Sequence, residues 1–306
     1  ITLAAPPTRN THQVRLHSTL ASPPSRVSSS PSDWDIVFLR ARWPGFMIAI
    51  PPGQRNCRPL PSSKPAAETG AGAATTAPDT SHHRALRSFV VRAGRTTGAQ
   101  ERAWRELWPA LGLENGEEPL DFAAVFGRDA PVVLEIGFGN GESLVALASS
   151  HAERNYLGLE VHPPGVGHLL LCCEAGQLSN VRVICDDAAQ VLQRRVPDAS
   201  PDPLLLYFPA PWTKQRHHKR RIVQPPFVEL VTRKLKPGGV FRLATDWLPY
   251  AEHMLATAGS SPVLHNESAT GDYVDRPASR PLTRFERRGQ RLGHGVWDLA
   301  FRKGRK

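Results

Sequence analysis

The sequence predicts an α/β fold, built on a doubly wound, mostly parallel sheet with one antiparallel strand from the C-terminal end. Five short apolar runs predict it: residues 132–136, 156–161, 181–184, 204–208 and 240–244. They alternate with stretches long enough for helices, which is the order of consecutive strand-helix-strand units. Continuous apolar strands of this kind are typically buried on both faces and joined by right-handed crossovers.

The first and last elements of the fold have patterns of their own. Residues 100–111 predict the first helix, because four apolar residues recur at spacings of three and four: Trp104, Leu107, Trp108 and Leu111. Residues 296–301 alternate in character and predict a final strand, antiparallel and added at the far side of the sheet.

The N-terminal part of the chain has a different character. Residues 1–80 are rich in proline, serine and alanine and show no sustained helical or strand period, which is typical of disorder. We therefore expect a disordered extension, residues 1–80, followed by one folded domain, residues 81–306. An organellar presequence is an alternative, because no acidic residue precedes Asp33.

The composition describes a basic protein. Lysine and arginine number 38 against 28 aspartates and glutamates, a formal net charge of +10, which favours an anionic partner such as nucleic acid. The four cysteines form no C-x-x-C pair, so we expect a reducing cytoplasmic location and no bound metal. No run approaches about eighteen uncharged apolar residues, so we expect no membrane span. A monomer is favoured.

A glycine-rich loop follows the first predicted strand. Gly137, Gly139 and Gly141 stand where that strand turns into a helix, which is the context of a nucleotide-binding loop. Their spacing, G-x-G-x-G, differs from the G-x-G-x-x-G of dinucleotide sites and argues against a pyrophosphate. NAD stays open as the competing ligand.

Acidic side chains end the first three predicted strands. Glu135 lies just before the glycine loop, where a carboxylate faces a cationic or amino-bearing ligand rather than a phosphate. Glu160 stands about 20 residues further on, where a carboxylate can bind both ribose hydroxyls. We expect Asp187 to receive the adenine amino group and Asp186 to cap the next helix, although Asp187 is itself a candidate cap. These residues together predict S-adenosylmethionine as the cofactor.

Cationic and aromatic side chains follow the fourth predicted strand. The cation cluster consists of Lys214, Arg216, His217, His218, Lys219, Arg220 and Arg221. A solvated loop is the ordinary interpretation of such a run. The cation cluster, however, is expected on the same rim of the sheet as the glycine loop, which favours the binding of RNA. Trp212 can stack a base or belong to the core, and Tyr207, inside the strand, is expected in the core.

Polar residues gather again toward the end of the chain. Asp246 closes the fifth predicted strand. Thr283 and Glu286 can present a hydroxyl and a carboxylate to the N1 and N2 edge of a guanine. Since T-x-x-E is equally the signature of a helix capping box, both interpretations stay open.

Five motifs, taken in order, resemble the tRNA (guanine-N7-)-methyltransferases of the bacterial type, which modify the guanine of the variable loop. They are LEIGFGNG at 134–141, EVHPPGVG at 160–167, PWTKQRHHKRR at 211–221, TDWLPY at 245–250 and TRFERRGQRLGHGVWDL at 283–299. The resemblance covers residues 87–303. It implies a Rossmann-like class I methyltransferase, with S-adenosylmethionine as the methyl donor and tRNA as the substrate.

The resemblance also implies roles for individual residues. It places S-adenosylmethionine on Glu135, Glu160 and Asp187, beside the glycine loop. It places the substrate on six residues: Lys214, Asp246, Thr283, Arg284, Phe285 and Glu286. Asp246 is also expected to act in catalysis, with His217 and Arg220 supporting the active site.

The chain departs from the family at one position. The family motif reads F-P-D-P-W and its aspartate contacts the cofactor and acts in catalysis, whereas this chain has Ala210. Guanine N7 already carries a lone pair, so methyl transfer needs no general base, and we expect the loss to slow the reaction by about 10²- to 10³-fold. The main alternative is a catalytically impaired member that only binds tRNA. A methyltransferase acting on a small molecule or a protein is a weaker one.

Overall fold

The structure, a computed structural model, describes residues 88–89, 95–282, 286, 291 and 295–305. These residues all belong to one compact unit, Pro78–Lys306. The expected disordered extension, residues 1–80, lies outside the described residues.

A seven-stranded sheet forms the centre of the described part of the chain. Its strands are β1 (Val132–Ile136), β2 (Asn155–Leu159), β3 (Val181–Ile184), β4 (Pro201–Tyr207), β5 (Val240–Thr245), β6 (Leu264–Asn266) and β7 (Trp297–Lys303). Their order is β3-β2-β1-β4-β5-β7-β6. Strands β1 to β5 are parallel, and β7 is antiparallel to both of its neighbours. The predicted doubly wound, mostly parallel sheet is confirmed.

Helices cover both faces of the sheet. They are α1 (Gly98–Glu106), α2 (Trp108–Leu111), α3 (Phe122–Phe126), α4 (Glu142–Ser150), α5 (Pro163–Ala175), α6 (Ala188–Arg194), a 3₁₀ helix (Gln215–Arg220), α7 (Pro225–Lys234) and α8 (Leu248–Gly259). One apolar layer includes Val191 of α6 and Met254 of α8, and the other includes Leu144 of α4 and Leu169 of α5. Among the described helices, none combines the length and the apolar character needed to cross a membrane.

The strand order places a crevice at the centre of the sheet. Strands β1, β2 and β3 extend to one side, and β4 and β5 start next to β1 on the other. The connections that follow β1 and β4 therefore run over opposite faces of the sheet. A crevice forms between them, outside the carboxyl ends of these two strands. The glycine loop and the loop after β4 both leave the sheet at this edge.

The predicted helix over residues 100–111 is two helices. Helix α1 begins at Gly98 because Thr97 and Gln100 form a reciprocal capping box. It ends at Glu106, and α2 follows after Leu107, because Pro109 has no backbone N–H to continue the hydrogen-bond ladder. The apolar residues that predicted the helix still pack on the buried core of this face.

Several strand boundaries differ from the prediction: β2 ends at Leu159 rather than residue 161, and β7 extends to Lys303. Strand β4 begins earlier, at Pro201, and ends at Tyr207 because Phe208 has a φ of +51°. The C-terminal strand is antiparallel and lies on the far side of the sheet as predicted, but β6, which was not predicted, pairs with its outer side. Strand β6 has only three residues, too short a run to show a strand period.

Candidate active site

A cavity opens at the carboxyl ends of β1, β2, β3 and β4. Its volume is about 210 Å³. Its lining includes residues at the ends of all four strands: Ile136, Gly137, Leu159, Glu160, Asp186, Phe208 and Ala210. Ser88, Phe89 and Ile222 complete the wall on the other side. Of the predicted cofactor residues, Gly137 and Glu160 therefore share this cavity with Ala210, whereas Asp187 lines a neighbouring cavity.

The glycine loop connects β1 to α4 beside this cavity. Gly137, Gly139 and Gly141 have φ values of +70°, +61° and +81°, a region that a residue with a Cβ adopts only at a cost. A Cβ on Gly141 would also lie 2.5 Å from Cδ1 of Leu169. The Gly137 amide donates to the Leu159 carbonyl at 2.7 Å, which ties the loop to the end of β2.

Glu160 holds the glycine loop in place from the end of β2. Its Oε2 accepts the Gly139 amide at 2.9 Å. Its Oε1 accepts the amides of Val161 and His162 at 2.7 and 3.0 Å. Sequence reasoning missed this structural role, and ribose binding by Glu160 stays a prediction. Each carboxylate oxygen has two lone pairs, so Oε2 keeps room for one more donor.

Glu135 is a buried carboxylate directly before the loop, with 3% of its surface exposed. Within the described residues its Oε2 has no hydrogen-bond partner, which is costly for a buried carboxylate. Burial, with a smaller contribution from the charge of Glu160, raises the pKa of Glu135 to about 8. A bound cation would supply the missing partner, so this part of the site fits the positively charged S-adenosylmethionine.

The two aspartates after β3 have different surroundings. Oδ1 of Asp187 accepts the Ala189 amide at 2.9 Å and caps α6. The expectation that Asp186 is the cap was wrong, because the capping residue is the one directly before the first helical residue, Ala188. Asp186 lines the cavity and accepts hydrogen bonds from the Asp187 amide and from Asn115. Adenine binding by Asp187 stays a prediction.

The loop after β4 has an unusual backbone. Phe208 and Trp212 have φ values of +51° and +46°, which cost about 1–3 kcal/mol for each residue other than glycine. The Phe208 amide donates to the Ala244 carbonyl at 2.8 Å, and the Arg280 guanidinium lies 5.5 Å from the Phe208 ring centroid. Ala210, between the two strained residues, is exposed and lines the cavity.

Trp212 organises the cation cluster around it. The Arg220 guanidinium lies 4.2 Å from the Trp212 ring centroid, and the His217 ring meets it edge-on at 5.8 Å. Trp212 Nε1 donates to the Ser88 carbonyl at 3.0 Å. Because a guanidinium already covers one face of the indole, base stacking on that face is disfavoured. Desolvation and then the neighbouring cations lower the pKa of His217, which favours the neutral imidazole.

The remaining cations divide between the surface and the core. Three side chains are exposed: Lys214, Arg216 and Lys219. Arg221 is 4% exposed, and its Nε donates to the Pro211 carbonyl at 2.9 Å. Its guanidinium also lies 4.8 Å from the Tyr250 ring centroid. Arg221 was therefore wrongly grouped with the surface cations, because aromatic packing and carbonyl acceptors hold it inside the protein.

A buried ionic cluster lies beside the loop after β4. Arg280 donates to both oxygens of Glu286 at 2.5 and 3.1 Å, and to both oxygens of Asp298 at 2.8 Å. Its guanidinium lies 5.7 Å from the ring of Tyr207, which is in the core as expected. Glu286 is thus engaged within the protein, and its contact with guanine stays a prediction. Three residues of that substrate segment lie outside the described residues: Thr283, Arg284 and Phe285.

Asp246 follows β5 on the same edge of the sheet. It is half-buried, and its carboxylate makes no hydrogen bond or ion pair with any other residue that the structure describes. Lys214, His217 and Asp246 lie on the edge that carries the cavity, but they are not part of its described lining. In the described ranges, no group of three His, Cys, Asp or Glu side chains is placed to hold a metal.

Sequence reasoning missed three residues that shape this site. Ser88 and Ile222 line the cavity, and Arg280 packs over the rings of Tyr207 and Phe208. Single serine or isoleucine residues carry no pattern that would mark them. Arg280 stands three residues before Thr283, and its burial between two carboxylates depends on the pairing of β7 with β5.

Comparisons with known proteins agree with this geometry. Residues 129–299 match a family model described as "Putative methyltransferase". A tRNA (guanine-N(7)-)-methyltransferase of Sodalis glossinidius is 59% identical over 220 residues, which cover 72% of this chain and 92% of the relative. The proteins of the same name from Serratia proteamaculans and Aeromonas hydrophila are 58% and 56% identical over 220 residues. These cover 72% of this chain and 92% and 93% of the two relatives.

Proposed function

The chain belongs to the tRNA (guanine-N(7)-)-methyltransferase family, and we propose that it transfers a methyl group from S-adenosylmethionine to N7 of a guanine in the tRNA variable loop. The observation that supports this most is the cavity of about 210 Å³, whose lining combines Glu160 and Asp186 with Ala210. Acidic and glycine-rich elements lie on one side of it, and the loop that leads into the cation cluster lies on the other.

The acidic side of the cavity is the proposed cofactor site. S-adenosylmethionine, when bound, supplies a methyl group on a positively charged sulfur. The buried Glu135 carboxylate offers a counter-charge to this cationic ligand. Glu160 and Asp187 each retain lone pairs for hydroxyl and amino donors. The glycine loop allows the backbone to approach the ligand closely, because a Cβ on Gly137 or Gly139 would project into open space.

The opposite side is the proposed RNA site. The exposed ammonium and guanidinium groups of Lys214, Arg216 and Lys219 suit the phosphates of a tRNA. Asp246 offers its half-buried carboxylate to the guanine. We assign the remaining guanine contacts to the segment formed by Thr283, Arg284, Phe285 and Glu286. His217 and Arg220 both contact the ring of Trp212, and we assign them the support of the loop that follows β4.

The reaction is a direct displacement in which guanine N7 attacks the methyl carbon. N7 has a lone pair in the neutral base, so no residue has to remove a proton to create the nucleophile. The chain's own contribution is to hold N7 in line with the methyl group and to exclude water. A carboxylate beside the ring, in the role proposed for Asp246, stabilises the positive charge that develops on the guanine.

The activity is tested with tRNA that carries either guanine or 7-deazaguanine at the variable-loop position. The second base lacks the N7 lone pair but keeps the rest of the guanine surface. Nucleoside mass spectrometry should detect 7-methylguanosine with the first tRNA and no methylation with the second. Equal methylation of both tRNAs would show that another atom is the acceptor.

Replacing Ala210 with aspartate tests whether the chain is an active member or an impaired one. Restoring a carboxylate at this cavity position should raise the single-turnover rate by about 10²- to 10³-fold from a measurable start. Ala152→Asp is the matched control, because Ala152 is exposed in a turn outside the cavity. Wild-type protein that binds tRNA but transfers no methyl group would favour the impaired alternative instead.

The proposal extends to the state in which the enzyme works. We expect a monomer that acts without a metal in the reducing environment of the cytoplasm. Methyltransferase activity should therefore persist when a chelator and a thiol reductant are present. In size-exclusion chromatography, the active fractions should be those that contain the monomer. Loss of activity on chelation would contradict the metal-free part of the proposal.

A further inference from the structure

A second cavity lies between α6 and α7, on the same edge of the sheet as the first. Its volume is about 500 Å³, within the range of about 300–1,000 Å³ that is usual for ligand sites. Ser88 and Ile222 line both cavities, so the two adjoin each other. Glu135, Glu160 and the glycine loop are not part of its described lining, although Asp187, one of the proposed cofactor residues, is.

The walls of this second cavity combine an apolar surface with amide groups. Phe227 and Leu230 of α7 form its apolar side together with Ile222. The Gln193 Oε1 accepts from Arg233, which leaves its amide hydrogens available. Gln224 donates through Nε2 to the His218 carbonyl, which leaves its Oε1 available. Apolar and aromatic surface suits the face of a nucleobase, and free amide donors and acceptors suit its edge.

Cations stand along the rim of the same cavity. Lys219 is exposed and has no ion pair or hydrogen bond with the other residues described. Arg194 pairs with Glu117 at 2.6 Å, but both side chains are largely exposed, at 44% and 73%. Such a solvated pair is weak, so a phosphate group can take the place of Glu117. The cavity therefore offers base contacts on its walls and phosphate contacts at its rim.

We propose that the cavity between α6 and α7 binds a second nucleotide of the RNA, the neighbour in sequence of the guanine that is methylated. Its base packs on Phe227 and Leu230, and its phosphate contacts Lys219 and Arg194. The shared wall at Ser88 and Ile222 lets consecutive nucleotides of one strand enter the two cavities. This inference rests on the proposed function, because it takes the ligand to be the tRNA substrate.

The adenine of S-adenosylmethionine is the competing occupant, since Asp187 also lines this cavity. Substitutions at residues that line the second cavity but not the first separate the two ligands. Gln190→Trp places a large ring in the groove from the exposed side of α6, and Glu229→Trp adds the same ring to an exposed position of α7 outside it. Arg194→Ala removes a rim cation, and Arg105→Ala removes an exposed arginine of α1 outside the groove.

The experiment measures tRNA and S-adenosylmethionine dissociation constants of the full chain, with circular dichroism to verify folding. Gln190→Trp should weaken tRNA binding about tenfold and leave cofactor binding within about twofold. Arg194→Ala should weaken the salt dependence of tRNA binding. The slope of log affinity against log salt should become less negative by about 0.7–0.9, the change expected for one lost phosphate contact. The two control variants should match the wild-type protein.

Two results would overturn the inference. Weaker cofactor binding by Gln190→Trp with unchanged tRNA binding would assign the groove to adenine. An Arg194→Ala variant that binds tRNA with the wild-type salt slope would leave the groove without a phosphate. Failure of the proposed function looks different: wild-type protein would then form no 7-methylguanosine, whatever the groove variants do to RNA binding.

Discussion

Cofactor affinity should depend steeply on pH because of one buried carboxyl group. Glu135 is 3% exposed, and burial raises its pKa to about 8 in the unliganded protein. A cationic ligand needs the ionised carboxylate as its partner. Below about pH 8 the group must therefore release a proton before it can bind S-adenosylmethionine. Affinity should rise with pH until the group is ionised in the free protein.

The magnitude follows from the fraction of Glu135 that is ionised before binding. With a pKa of about 8, that fraction rises about 25-fold between about pH 6.5 and about pH 8.5. The dissociation constant should fall by the same factor if the bound form is fully ionised. The same raised pKa lowers the stability of the unliganded fold as pH rises from 4.5 to about 8, because the unfolded chain ionises first.

Isothermal titration calorimetry measures both the dissociation constant of S-adenosylmethionine and the number of protons released on binding. Titrations of S-adenosylmethionine in buffers of different ionisation enthalpy should show release of nearly one proton near pH 6.5 and much less near pH 8.5. Glu135→Gln is the matched variant, because it keeps the size of the side chain and cannot ionise. It should bind more weakly at the higher pH and lose the pH dependence. A variant that keeps the wild-type pH profile would refute the assignment to Glu135.

Two further substitutions test the parts of the structure that hold the site. Arg280→Met removes the guanidinium that pairs with the two buried carboxylates of Glu286 and Asp298, so it should lower the free energy of unfolding by about 3–5 kcal/mol. Urea denaturation measures this, and Arg302→Met, at an exposed ion pair, should have little effect. Gly165→Ala would place a Cβ 2.3 Å from the Gly139 carbonyl oxygen, which must displace the glycine loop and weaken cofactor binding at least about tenfold. Gly98→Ala, with open space around it, should bind like wild type, and equal affinity of both variants would contradict the reasoning.

The sheet could be predicted because its strands are buried on both faces. All five residues of β1 are buried, and all five of β2, so their sequences are continuous apolar runs. Short elements at the margins lack such a pattern: β6 has three residues, and its pairing with β7 depends on contacts distant in sequence. The break before α2 was readable from Pro109, since proline cannot continue a helical hydrogen-bond ladder.

The site could be predicted where a strand end determines the position of a side chain. Glu135, Glu160 and Ala210 lie at or beside the ends of β1, β2 and β4 on one edge, as their places after apolar runs indicated. Hydrogen-bond partners could not be predicted in the same way. Nothing in the sequence shows that Glu160 binds three backbone amides, or that Arg221 points into the protein. Those outcomes depend on loop geometry that forms only in the folded chain.

The geometry of the loop after β4 explains how the chain could tolerate Ala210. Its strained conformation is maintained from outside the position itself: the Phe208 amide is bound to Ala244, and Trp212 is bound to Ser88. Strained backbone of this kind persists only where the surrounding structure enforces it. Replacing an aspartate by alanine therefore removes a charge but not the contacts that shape the loop. Since N7 methylation depends mainly on position, the enzyme should keep its specificity for guanine N7 while its rate falls.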